Sequence, residues 1–192
     1  MNYINPYDFM KELSKHVDDN AIIVTDSGAT LAWTCQGFNP KPGNRLFSAM
    51  NHSPMGYALP ASIGAYYACP DRQIICICGD GAMSMNIQEL ETIAYNKLPI
   101  KIFIMNNNEY GIINQTFRTW LDSTAASDPG NGLGFCNFAS IGEAYNILSC
   151  KLESIASIKS LLKQSQLLCV VPIKPGSDII PKLKYGKRLE EI

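Results

Sequence analysis

Residues 74–111 read IICICGDGAMSMNIQELETIAYNKLPIKIFIMNNNEYG, and this stretch decides the fold. Two apolar runs, 74–78 and 100–105, have the length and composition of buried strands, and the segment between them is long enough for a helix. A strand, a crossover helix and a second strand form one unit of a parallel sheet. We therefore predict an α/β fold with a doubly wound, mainly parallel sheet and helices on both faces.

The polar residues that follow the two predicted strands are expected to form one site, because open α/β sheets bind ligands beyond the carboxyl ends of their strands. Asp80 offers a carboxylate oxygen there, Asn107 an amide oxygen, and the loop at Glu109 a carbonyl oxygen. Oxygen ligands suit Mg²⁺, which fills its remaining positions with water and substrate phosphates. Gly81 and Ala82, at the start of the predicted helix, leave backbone N–H groups free for a diphosphate.

Two other interpretations of the Gly79-Asp80-Gly81 turn are open. It can be an ordinary β-turn in a doubly wound domain that binds no cofactor. It can also belong to a dinucleotide site, although the G-x-G-x-x-G pattern needs a third glycine at position 84, which is Ser84.

The stretch resembles the thiamine-diphosphate signature of acetolactate synthase-like enzymes, in which a Gly-Asp-Gly is followed some two dozen residues later by an Asn pair. Segments 86–90 (NIQEL) and 98–104 (LPIKIFI) are also similar to that family. The resemblance covers residues 3–186, so we expect a thiamine-diphosphate-binding (PP) domain over 1–186 and a tail over 187–192. It implies thiamine diphosphate and Mg²⁺ as cofactors. The implied metal ligands are Asp80, Asn107 and Glu109, and the implied cofactor contacts here are Gly79, Asp80, Gly81, Ala82, Asn107, Glu109, Tyr110, Gly111 and Ile112.

A second turn, residues 26–30 (DSGAT), follows a short apolar run. In the resembled family the matching turn gives backbone N–H groups to the diphosphate, which implies Gly28, Ala29 and Thr30 as further contacts. Thr30 stands where acetolactate synthases commonly have histidine. For Asp26 the alternative is a helix N-cap.

Residues 51–65 (NHSPMGYALPASIGA) are similar to the family segment G-x-M-G-x-x-L-P-A-x-I-G-A. The resemblance implies that Met55 packs beneath the cofactor and keeps it bent, so that the 4′-amino group reaches the thiazolium C2. The Ser53 carbonyl and the Met55 N–H would pair with the aminopyrimidine. Met55 and His52 are therefore the candidate catalytic residues, with a packing methionine and a structural histidine as the alternatives.

The function implied by the resemblance is the cofactor-binding domain or subunit of a 2-oxoacid decarboxylase or ligase, a lyase or transferase. In that family a glutamate on a separate pyrimidine-binding domain activates the cofactor. Because the sequence starts at Met1 just before the diphosphate domain, we expect a partner chain or domain to supply this glutamate within a homo- or hetero-oligomer. The alternatives are a subunit of a 2-oxoacid oxidoreductase and a non-catalytic cofactor-binding or assembly module.

Composition narrows the class of protein. The 192 residues are 46% hydrophobic, enough for one core, and the net charge of −1 gives no reason to expect nucleic acid or an anionic membrane as a partner. The seven cysteines include no C-x-x-C pair. The N-terminus does not resemble a signal peptide, and no apolar run approaches the ~20 residues of a membrane span. We expect a reduced, cytoplasmic protein.

Periodicity and turn residues predict the other elements. They predict helices over 6–17, 56–69, 112–121, 137–145 and 154–165, and strands over 21–25, 45–48 and 167–173, with a short edge strand before the last helix. Residues 122–136, rich in small and polar residues, are expected to be a mobile loop or lid.

Overall fold

The computed structural model describes residues 2–123 and 125–182, and within them six strands form one sheet. The strands are β1 (Ile22–Thr25), β2 (Arg45–Phe47), β3 (Ile74–Gly79), β4 (Ile100–Asn106), β5 (Ser149–Lys151) and β6 (Leu167–Pro172). Their order across the sheet is β2-β1-β3-β4-β6-β5, and every neighbouring pair is parallel. The predicted α/β fold with a parallel sheet is confirmed.

Helices cover both faces of this sheet. They are α1 (Pro6–His16), α2 (Ala29–Gly37), α3 (Ala58–Ala68), α4 (Asp80–Met85), α5 (Glu89–Tyr95), α6 (Gly111–Thr116), α7 (Phe138–Ala144) and α8 (Ile158–Leu161). A π-helix, Phe117–Leu121, continues α6, and 3₁₀ turns occupy Pro129–Asn131 and Ile155–Ser157. Along β3, Ile75 and Ile77 join the core under α1 and α2, whereas Cys76 and Cys78 join the core under α3 and α5. Such two-sided burial explains the continuous apolar run of β3.

The first helix shows how closely local sequence signals can fix an element. The Asn5 side chain accepts hydrogen bonds from the N–H groups of Tyr7 (2.9 Å) and Asp8 (3.2 Å), and Pro6 occupies the first helical position. An N-cap followed by proline is a strong helix start, and the structure confirms it.

The single helix predicted between β3 and β4 is wrong, because the structure has two, α4 and α5. The chain leaves the helical conformation at Asn86 (φ −134°, ψ 33°), whose Nδ2 donates to the carbonyl of Gly56 at 2.8 Å. Asparagine side chains that bond to backbone compete with helix formation. The break therefore follows from a contact with a distant part of the chain.

Two other helices are shorter than predicted. Helix α3 starts at Ala58 rather than residue 56, because Gly56 has a left-handed φ of +86°. The helix predicted over 154–165 begins as a 3₁₀ turn and ends at Leu161. Within the described part of the chain, no helix is long and apolar enough to cross a membrane. The predicted domain end at 186 and the tail over 187–192 lie outside the described residues.

Candidate functional site

A cavity of about 310 Å³ opens where β1, β3 and β4 end. The strand register brings its parts together, because Gly79 of β3 pairs with Met105 of β4 and the turns after both strands therefore lie side by side. The segment before α3 forms another wall. All the residues predicted to contact cofactor or metal line this cavity: Gly28, Ala29, Thr30, Ser53, Met55, Gly79, Asp80, Gly81, Ala82, Asn107, Glu109, Tyr110, Gly111 and Ile112. His52 is exposed and does not line it.

Glycines bring bare backbone to the cavity surface. Gly28 has a φ of +74°, a conformation that side chains disfavour. A Cβ on Gly81 would lie 2.5 Å from Tyr110 Cε1 and 3.0 Å from Met55 Cε. Glycine is therefore required at both turns, for conformation at the first and for space at the second.

The helices that start at the cavity have no side-chain caps. Asn5 caps α1 and Asn137 caps α7, whereas the N-cap residues of α2, α4 and α6 make no side-chain hydrogen bond to their helices. In α4 the N–H of Gly81, predicted to be free, instead donates to Asp80 Oδ1. Uncapped N–H groups at helix starts favour an anion. Helix α2 has nine residues and α4 only six, so the larger dipole contribution comes from α2.

Asp80 is the buried carboxylate of the site, with only 1% of its surface exposed. Oδ1 accepts from the Gly81 N–H at 2.7 Å and Oδ2 from the Asn108 N–H at 2.6 Å. Burial raises the pKa of Asp80 to about 7, although these N–H donors oppose the rise. Asp80 takes part in none of the ion pairs that the described residues form. A buried carboxylate without a cation beside it favours binding of one.

The other two predicted metal ligands differ in what they offer. Asn107 is buried, and its Nδ2 faces Glu109 Oε1 at 3.5 Å, so its Oδ1 is turned away from that carboxylate. Glu109, unlike Asp80, already has a cation beside its carboxylate: Oε2 lies 3.7 Å from Arg118 Nη1. The carboxylate also accepts from the Gly176 N–H (2.8 Å) and from Asn114 Nδ2 (2.9 Å). Of the groups predicted at this position, the loop carbonyl therefore remains the expected metal ligand, and the Glu109 carboxylate does not.

The donor set fits a hard cation such as Mg²⁺. Across residues 2–123 and 125–182, no three His, Cys, Asp or Glu side chains converge as a cluster that could hold a metal ion. The cavity is lined by one carboxylate without an ion-pair partner, Asp80, and by the Asn107 amide. Mg²⁺ commonly uses few protein ligands of this kind and completes its shell with water and phosphate oxygens.

The segment predicted to be a lid is anchored at its centre. Ser127 accepts from the Tyr110 N–H at 2.8 Å through its carbonyl, and its hydroxyl donates to Asn114 Oδ1. Asp128 caps the following 3₁₀ turn. Hydrogen bonds therefore tie residues 127–131 to the start of α6 beside the cavity.

Sequence reasoning missed some residues of the cavity wall. Ser27, Trp33 and Met105 also line it. Ser27 lies inside the 26–30 turn, Trp33 follows Thr30 by one helical turn, and Met105 is the last apolar residue before the Asn-rich loop, so spacing could have identified them. Trp33 Nε1 is the one buried side-chain N or O atom of the described residues without a hydrogen-bond partner.

Comparison with known proteins gives a consistent result. The family described as "Thiamine pyrophosphate enzyme, C-terminal TPP binding domain" matches residues 26–170. The acetolactate synthase isozyme 1 large subunit of Escherichia coli (strain K12) is 34% identical over 163 residues, 84% of this chain and 28% of that protein. The acetolactate synthase large subunit of Cyanidium caldarium is 35% identical over 187 residues, 95% of this chain and 32% of that protein. The chain thus spans about a third or less of these relatives' length.

Proposed function

Since this chain belongs to the thiamine pyrophosphate (thiamine diphosphate) enzyme family as a C-terminal TPP-binding domain, we propose that it binds thiamine diphosphate through Mg²⁺ in the described cavity. We propose further that it serves an acetolactate synthase-like enzyme acting on 2-oxoacids. The observation that carries the proposal is that the buried Asp80 carboxylate, Asn107 and the uncapped start of α2 line the same cavity. A Mg²⁺-bound diphosphate carries both charges that these groups favour. The metal ion would compensate the Asp80 carboxylate, and the phosphate oxygens would accept from the N–H groups at the start of α2.

Each group of residues has a distinct task in this proposal. Asp80, Asn107 Oδ1 and the carbonyl near Glu109 would hold Mg²⁺. The N–H groups of Gly28, Ala29 and Thr30 would bind diphosphate oxygens. The Met55 side chain lies at the cavity wall next to Gly81 and would support the thiamine rings.

The chemistry itself comes largely from the cofactor, which when bound acts as the electron sink for decarboxylation of a 2-oxoacid. The chain's own residues bind, orient and exclude water. Ile112 and Ile113 line the cavity with exposed apolar side chains, so they would shield the reacting end of the cofactor. Anchoring of this kind strengthens binding equally in ground and transition states and does not by itself accelerate the reaction.

Activity therefore needs a further group, and we propose that a pyrimidine-binding domain or partner subunit supplies it as a glutamate. The two glutamates behind the glycine-rich turn, Glu89 and Glu91, lie on α5 and do not line the cavity. An oligomer in which this domain meets a pyrimidine-binding domain would complete the site. In it the enzyme would work as a lyase or transferase on 2-oxoacids.

Calorimetry tests the binding step. Thiamine diphosphate is titrated into the protein with excess Mg²⁺ and, in parallel, with EDTA. We expect saturable binding with Mg²⁺ and at least a ~10²-fold loss with EDTA, because the diphosphate charge then faces the Asp80 carboxylate without compensation. Absence of binding, or equal affinity with and without the metal, would contradict the proposal.

The need for a partner has its own test, exchange of the cofactor C2 proton for deuterium, followed by NMR after acid quench. We expect slow exchange with this chain alone and faster exchange once a pyrimidine-binding domain is added. General acid–base catalysis is typically worth ~10² to 10⁴ in rate. Fast exchange in the chain alone would reveal an internal base, and His52→Ala would be the first variant to test.

A further inference from the structure

Gly56, the residue after Met55, is held from two sides. Its N–H donates to Asp26 Oδ1 at 3.1 Å, and its carbonyl accepts from Asn86 Nδ2 at 2.8 Å. The two side chains come from two elements that lead to the cavity, but neither side chain lines it. Asp26 lies at the end of β1, directly before the 27–30 turn, and Asn86 ends α4, the helix that begins at Asp80.

Asp26 is a fully buried carboxylate with no place in the cavity wall, since none of its surface is exposed and it is absent from the cavity lining. Besides Gly56, it accepts from the Ala58 N–H at 2.7 Å and the Ser27 N–H at 2.9 Å. Asp26 therefore accepts from the first N–H of α3, and not from α2, the helix that follows it in sequence. The carboxylate ties the first diphosphate turn to the segment that carries Met55.

Asn86 provides the second tie. The break between α4 and α5 turns its amide toward Gly56. The end of α4 packs closely against Gly56, because a Cβ on Gly56 would lie 2.8 Å from Met85 Cβ and 2.9 Å from Asn86 Nδ2. Only glycine fits there, at a φ of +86°.

The consequence concerns Met55. The residue is 38% exposed, yet its Cε lies 3.0 Å from the position of a Cβ on Gly81. A half-exposed methionine samples several rotamers, so a defined position over Gly81 needs a fixed backbone.

We infer that Asp26 and Asn86 are positioning residues that clamp Gly56 and thereby set Met55 relative to both diphosphate-facing turns. The inference rests on the proposed function of the cavity. The clamp fixes the distance between the groups that anchor the diphosphate and the side chain that supports the thiamine rings. Neither Asp26 nor Asn86 needs to touch the cofactor for this role.

Two ligands separate positioning from anchoring. Inorganic pyrophosphate with Mg²⁺ requires only the anchor, whereas thiamine diphosphate also requires Met55. In Asn86→Ala we expect thiamine diphosphate to bind ~10-fold more weakly, the effect of about one lost hydrogen bond, and pyrophosphate affinity to stay within about twofold. Asn96→Ala is the matched control, because Asn96 Nδ2 also donates to a backbone carbonyl, that of Thr92 at 2.8 Å, but away from Gly56.

A second readout needs no cofactor. In the free protein, the ¹³C-methyl resonance of Met55, assigned with Met55→Leu, reports its position beside the Tyr110 ring, because Tyr110 Cε1 and Met55 Cε both approach the same point over Gly81. We expect this resonance to move toward that of a solvent-exposed methionine in Asn86→Ala and Asp26→Asn, and to stay in place in Asn96→Ala.

These measurements distinguish failure of the clamp from failure of the proposed function. If folded Asn86→Ala weakens both ligands in parallel, or leaves their affinity ratio and the Met55 resonance at wild-type values, the inference is overturned. Asn86→Ala decides the matter even if Asp26→Asn fails to fold. If the wild-type protein binds neither ligand, the proposed function fails, while the Met55 resonance still tests the clamp.

Discussion

Asp26 and Asp80 occupy equivalent places in the fold, each directly after a buried parallel strand and each almost completely buried. Their partners differ. Asp26 accepts from the N–H groups of Gly56 and Ala58, some thirty residues away, and does not line the cavity. Asp80 accepts from Gly81 and Asn108 and lines the cavity, and burial raises its pKa to about 7.

The difference shows that burial alone does not give a carboxylate its role. At Asp26 the donors come from a segment that must be held in place, so the carboxylate organises structure. At Asp80 the carboxylate lines a cavity that a cation can enter. Burying this charge without a counter-ion is unfavourable, so the carboxylate favours binding of a cation. Substitutions at the two positions should therefore separate stability from binding.

The largest expected effect is on ligand affinity in Asp80→Ala. The remaining amide and carbonyl oxygens are neutral and cannot offset the cost of removing water from Mg²⁺. We expect Mg²⁺-dependent binding of thiamine diphosphate to fall by ~10²-fold or more, measured by calorimetry. Affinity equal to that of the wild-type protein, with a native circular dichroism spectrum, would remove Asp80 from the metal site.

Asp26→Ala should act first on stability, and on thiamine diphosphate binding only through the position of Met55. It leaves the buried N–H groups of Gly56 and Ala58 without an acceptor, and each such loss costs about 1–3 kcal/mol. We expect the free energy of unfolding, measured with urea, to fall by about 2–4 kcal/mol. Asp19→Ala serves as control, since this exposed carboxylate pairs with Lys41 at 3.0 Å and should contribute less than about 1 kcal/mol. A similarly small loss in Asp26→Ala would show that its hydrogen bonds are dispensable.

The same comparison predicts a dependence on pH in the absence of metal. The pKa of Asp80 is raised in the folded state, so between about pH 4 and pH 7 the unfolded chain has lost a proton that the folded protein retains. The free energy of unfolding in EDTA should therefore fall as pH rises through this window, by an amount on the order of a few kcal/mol. Asp80→Asn should flatten this part of the curve, and an identical slope in that variant would assign the effect to other groups.

The sequence predicts the surroundings of Asp80 much better than those of Asp26. Asp80 lies between an apolar strand and a helix start, and Asn107 follows the next strand, so local patterns suffice to predict their meeting at the sheet edge. The partners of Asp26 lie in a different segment, and the break at Asn86 depends on a contact with Gly56. Helix propensity over 81–95 contains no sign of that contact, and this explains the wrong prediction of a single helix.

Glu109 shows a related limit of sequence reasoning. The sequence places a carboxylate beside the predicted metal ligands, but the direction of a side chain depends on tertiary contacts. In the structure the Glu109 carboxylate accepts from Gly176 and Asn114, both beyond the local motif. Only the backbone carbonyl is consistent with the predicted role.

The smallest expected effect is at Asn107. Its amide oxygen is a neutral ligand that water can replace, so Asn107→Ala should weaken Mg²⁺-dependent binding by only ~10-fold, about the worth of one polar contact. The titration used for Asp80→Ala measures it under the same conditions. A loss as large as that of Asp80→Ala would mean that the amide, and not the charge of the carboxylate, determines metal affinity.

A crystal structure with thiamine diphosphate and Mn²⁺ in place of Mg²⁺ tests the central claim most directly, because anomalous scattering locates the metal. We predict one peak at the cavity, coordinated by the Asp80 carboxylate and Asn107 Oδ1 at distances near the ~2.1 Å of Mg²⁺ sites, with the diphosphate against residues 28–30. A peak at another position, or a cofactor bound outside the cavity, would contradict the account.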